Sequence, residues 1–169
     1  MMSNLHTYLA LAKDSLRNAK RFSTAQRKPK PDGQPGVIIL YDPKQKSFKH
    51  SLISIVFAGI YFDALAHVEG ARRLGKSKYK KIAKATYEVK LHALGLTDRA
   101  LLLNCERFRK SRNDLVHEKA IDPKMSKATL RFAQVEAQHA VDFILQVTRL
   151  LGSNKPLKKR RAHQNARAS

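Results

Sequence analysis

Residues 51–67, SLISIVFAGIYFDALAH, are the most apolar stretch of the chain, and they are apolar around most of a helical circumference. A helix of that kind is covered by neighbours on nearly every side, so the stretch predicts the central helix of a bundle. The expected helix runs over 52–74 and ends at Gly75. Ser54 and Asp63 interrupt the run and leave it short of the roughly 20 apolar residues that cross a bilayer, so no transmembrane segment is expected.

Upstream, Leu5, Leu9, Ala12, Leu16 and Ala19 recur at steps of three and four, which predicts a first helix. The same segment lacks the basic-then-apolar order of a secretion signal and reads as part of the mature chain. Between these helices, residues 23–51 are rich in Pro, Gly and Lys. They hold one β-branched run, Val37 to Tyr41, before the turn signal Asp42-Pro43. A loop carrying a small hairpin is expected, either docked on the helices as an edge ribbon or serving as a flap over substrate.

Downstream, a third helix is predicted over 78–94, with Tyr79, Ile82, Ala85 and Val89 inward, Lys80, Lys81, Lys84 and Lys90 in solvent, and a stop at Gly95. A fourth begins at the N-cap Thr97, with Asp98 in its first turn, and runs to about Glu118 before the break Asp122-Pro123. A fifth, over 126–151, turns Ala133, Ala137, Ala140, Val141, Ile144 and Leu151 inward. The predicted fold is all-α, a four- to five-helix up-and-down bundle with a small β-hairpin or loop inserted after the first helix. Residues 1–152 form one domain, and 153–169 form a basic disordered tail.

The chain has 34 Lys and Arg against 13 Asp and Glu, a formal charge of +21. Such an excess repels itself unless a polyanion is near, and RNA is the first candidate partner. A membrane surface ranks lower, because the charge is spread along the sequence and does not line one amphipathic helix. With one cysteine, no intramolecular disulfide can form, and a cytoplasmic location is the simple expectation. Cys105 has no histidine a turn away and reads as a small core residue. His67, His92 and His139 share no ligand spacing, and neither a phosphate-binding P-loop nor a GxGxxG run is present, so no metal and no cofactor are expected.

One residue breaks its pattern. Leu101, Cys105, Phe108 and Leu115 make an apolar stripe on the fourth helix, and the position that completes it is Arg112. A guanidinium centred on an apolar face must be paired or must line a cleft or interface, because desolvating it alone costs several kcal/mol. Asp63, continuing the stripe Ile53, Val56 and Ile60, is a candidate partner, and an Arg112–Asp63 core pair would make the chain a basic helical scaffold.

The segment KSRNDLVHE, with Arg112-Asn113 and four residues between Arg112 and His117, resembles the signature of the HEPN superfamily, an Arg usually followed by a polar residue and then His after four to six positions. So do the preceding KLHALGL and the apolar SLISIVFAGIYFDALAH helix, and the likeness covers about residues 50–150. It implies a helical bundle, often homodimeric, and in many members a metal-independent endoribonuclease. Others are inactive relatives that bind RNA, nucleotides or partner proteins. Carried over, Arg112, Asn113 and His117 are the expected catalytic residues.

The chemistry fits these side chains. Metal-free cleavage uses the ribose 2′-OH on the adjacent phosphate, which needs a proton acceptor, a proton donor and positive charge at the developing phosphorane. Histidine serves both proton roles near neutral pH, and arginine offers a planar fork for phosphate oxygens. Arg107, Arg109, Lys110 and Lys119 are expected to guide the RNA backbone, although Glu106 with Lys110 also reads as a surface pair. On an ideal wheel Arg112, Asn113 and His117 fan widely, so a composite site across a homodimer is expected. A toxin or phage-defence role with a cognate antitoxin is what the resemblance implies most often; the alternative is a non-catalytic module binding RNA, a nucleotide or a partner protein.

Overall fold

The computed structural model describes residues 4–23, 26–40, 42, 44–117 and 126–153. The elements are α1 (Leu5–Phe22), β1 (Gln26–Pro29), β2 (Val37–Leu40), α2 (Lys46–Leu74), α3 (Lys76–Ile82), α4 (Tyr87–Ala93), α5 (Arg99–His117) and α6 (Ser126–Ser153). The four long helices form an up-and-down bundle, as the hydrophobic periodicity predicts. The proposed basic tail, past Ser153, lies outside the described residues.

Small buried residues set the approach of α1 to α2. Ser47 Oγ donates to the Ala19 carbonyl at 2.7 Å and Ser54 Oγ to the Ala12 carbonyl at 2.8 Å. The pairing runs backward along α1 as it runs forward along α2, so the two are antiparallel. Along α6 the partners advance together, with Gln134 on Ser47 and Thr148 on Tyr61, so α2 and α6 are parallel. The inward residues foreseen on α6, Ala133, Ala137, Ala140, Val141, Ile144 and Leu151, are all buried.

Rings close the core. Phe62, Tyr87, Phe108 and Phe143, from α2, α4, α5 and α6, stand with centroids 4.5 to 5.8 Å apart. That contact fixes α4 over the α2–α5 seam, and with it the Tyr87 hydroxyl.

Two helix boundaries are corrected. The central helix begins at Lys46 instead of Leu52, because buried Asp42 accepts the Phe48 N–H at 3.0 Å and satisfies a donor that a helix start leaves open. At 29 residues α2 is long and apolar enough to cross a membrane by composition, and half of its most apolar window is buried within the bundle. The single helix expected over 78–94 is two, α3 and α4, separated by a turn with Thr86 extended. The break shifts the helical phase, so Tyr87, Lys90 and Leu91 are buried while Val89 is exposed. The hairpin forms as expected, antiparallel with Gln26 opposite Leu40 and Pro29 opposite Val37. Val37 and Ile38 point to opposite faces of the ribbon and both are exposed, so at these positions neither face is covered by the helices.

Candidate functional site

The apolar stripe of α5 is built as its spacing requires: Leu101, Cys105, Phe108 and Leu115 are buried. Arg112 stands between the last two and is partly buried. Its side chain crosses α2 at Gly59. A β-carbon placed on that glycine would lie 2.6 Å from Arg112 Nε, 2.9 Å from Cδ and 3.3 Å from the Tyr87 hydroxyl. Glycine is required there by close approach, since any side chain would occupy the path of the guanidinium. Nε is buried without a hydrogen-bond partner. Among the described residues no carboxylate pairs with Arg112.

Asp63 is engaged elsewhere. It lies one turn beyond Gly59, and its Oδ1 accepts Lys90 Nζ at 2.6 Å, while the Tyr87 hydroxyl reaches Oδ2 at 3.4 Å. The Asp63–Arg112 pair that the sequence allowed is therefore replaced by Asp63–Lys90. The Lys90 side chain is 7% exposed and that of Asp63 44%. Burial pushes the Tyr87 phenol up to about 12, with the Asp63 carboxylate adding to the rise and Arg112 opposing it. Tyr87 is thus a neutral hydroxyl at any cellular pH.

The expected guiding residues sit in pairs of their own. Arg107 grips Glu136 through both carboxylate oxygens, and Ser111 donates to the same group. Glu136 is almost wholly buried; burial raises its pKa, and the hydrogen bonds from Arg107 and Ser111 outweigh that and hold the carboxyl below its ordinary range. Arg109 Nε donates to Glu88 at 2.9 Å, and Lys110 pairs with Glu106 at 2.8 Å, the surface pair the sequence permitted. Open grooves of about 340 Å³ and about 440 Å³ flank α5, the first beside Arg107, Lys110 and Phe132, the second beside Glu88, Arg99 and Arg109.

Asn113 is exposed, turned away from the seam in which Arg112 lies. His117 closes α5, and its side chain, like Lys119, lies outside the described residues. The structure therefore gathers Arg112 with Gly59, Tyr87, Asp63 and Lys90, and of these the sequence singled out Arg112 and Asp63. Thr86 as an N-cap was the signal that could have placed a new helix start and turned Lys90 inward. Nothing in the sequence marked Gly59 as a seat for an arginine 53 positions away.

No protein-family model, curated protein or solved structure matches the chain. Among the described residues no three His, Cys, Asp or Glu side chains are grouped to hold a metal ion.

Proposed function

We propose that this chain binds RNA at Arg112 and, with His117, cleaves it without a metal ion by attack of the ribose 2′-OH. The observation that carries this is a guanidinium seated on Gly59 with a buried, unpartnered Nε and no carboxylate among the described residues. A fork so placed is complementary to phosphate oxygens. The +21 charge supplies long-range attraction for a polyanion. The resemblance of Arg112-Asn113 and His117 to the HEPN superfamily's signature supplies the reaction, with His117 as proton carrier and a second copy completing the site. An antitoxin partner and a defence role belong to the same proposal.

The test is incubation of the full chain with RNA in EDTA. Cleavage that is lost in His117→Ala, with helical content unchanged, is the expected result; undiminished cutting by that variant would sink the mechanism. The exposed Asn113, an expected catalytic residue, favours a second reading, an RNA-binding module without catalysis. It is distinguished by salt-dependent binding without products.

A further inference from the structure

Asp63 and Gly59 are neighbours on one face of α2, a turn apart, so Asp63 lies one turn along the helix from where the Arg112 side chain crosses. An arginine in that position ordinarily closes on the carboxylate, and a fork so occupied has no free edge to offer a phosphate. Here Lys90 Nζ donates to Oδ1 of Asp63 at 2.6 Å. Its ammonium, on a side chain 7% exposed, is sequestered from a nucleic-acid strand in solvent. The Tyr87 hydroxyl is 3.4 Å from Oδ2 of Asp63 and 3.3 Å from the β-carbon position of Gly59, the position that Arg112 Nε also approaches. The Asp63–Lys90 pair and Tyr87 carry no net charge together, which leaves the full positive charge of Arg112 at the seat.

Building on the RNA-binding function proposed for that seat, we infer that Lys90 is a positioning residue: it holds Asp63 so that Arg112 stays available to a phosphodiester, with Tyr87 as the neutral spacer. Removing Lys90 releases Asp63 to capture Arg112, and removing Asp63 as well undoes the damage.

The experiment measures binding of a labelled single-stranded RNA oligonucleotide to the full chain over a range of salt concentrations. Lys90→Met is expected to weaken binding roughly tenfold and to lower the salt slope by about 1, as Arg112→Ala does. Asp63→Asn with Lys90→Met is expected to return within about twofold of wild type, although it lacks the same lysine. Asp63→Asn alone strands the Lys90 ammonium and removes a negative charge near the seat, so it is expected to melt lower and to bind RNA no more weakly than wild type. Lys80→Met, on an exposed lysine, controls for loss of charge.

A Lys90→Met chain that binds like Lys80→Met, or a double variant as weak as Lys90→Met, overturns the role of Lys90 and leaves the seat standing. If Lys90→Met does not fold by circular dichroism, Asp63→Asn decides: affinity as low as that of Arg112→Ala would show that Arg112 depends on Asp63 directly. A wild-type chain that binds RNA no better than Arg112→Ala overturns the seat, and the role of Lys90 with it.

Discussion

Arg112 of α5 lies across Gly59 of α2, its Nε 2.6 Å from where a β-carbon on that glycine would stand. The helix crossing and the placement of the charge are thus one feature. Gly59→Ala forces the middle of the arginine side chain to move, not its free end, and is expected to lower stability by about 1 to 3 kcal/mol. It also displaces the guanidinium, so RNA affinity should fall while far-UV circular dichroism is kept. Thermal melts and RNA titration check both, and unchanged affinity would show that the seat is not used.

Arg107 and Glu136 tie α5 to α6, with Glu136 3% exposed and Arg107 49%. Arg107→Ala strands the buried carboxylate beside Ser111. Because Arg107 is half in water, the loss is discounted from the figure for a buried pair to about 2 kcal/mol, read as a drop in melting temperature.

Acid should act on the same group. Glu136, and likewise Glu88 beside Arg109, has a folded pKa held below its ordinary value: burial works to raise each, and the arginine hydrogen bonds prevail. The unfolded chain then takes up protons first. The stabilisation is complete above the unfolded glutamate value of about 4.3 and is lost as pH falls through the folded value. Melting temperature followed from neutral to acid should drop over that window, and Glu136→Gln should start lower and fall less. An acid limb as steep in the variant would assign it to other carboxylates.

Cys105 is fully buried, and its thiol is pushed up to about 12, chiefly by burial and further by Glu88. It should resist iodoacetamide at mildly alkaline pH in the folded chain and react after denaturation. Mass spectrometry distinguishes the two, and rapid labelling of the folded chain would mean that the α5 core opens.

If two copies complete one site, inactive Arg112→Ala and His117→Ala chains should recover cleavage when mixed and allowed to exchange. Mixtures that stay inactive, while each chain still dimerises by sedimentation, would place both residues of a site on one copy.

Much of the bundle was legible because helical burial is periodic and local. The α6 alanines and the α5 stripe were read from spacing alone, and every residue of those two stripes is buried. The helix break at 83–86 was missed, since the lysine-rich run 76–90 keeps a tolerable helical period across it. An unbroken helical phase turns Lys90 to solvent, whereas the break turns it inward to Asp63.

The helical class, the order of the long helices and the permanent charge on the apolar face of α5 are legible along the chain, because each follows from side-chain type at a fixed angular step. Which acid meets which base is set by packing between helices. Arg112 could be placed on its helix but not opposite Gly59, and Asp63, a candidate partner of Arg112 by sequence, meets Lys90. The choice depends on distances between separate helices, set here by the packing of Phe62, Tyr87, Phe108 and Phe143, and no periodicity within one helix encodes them.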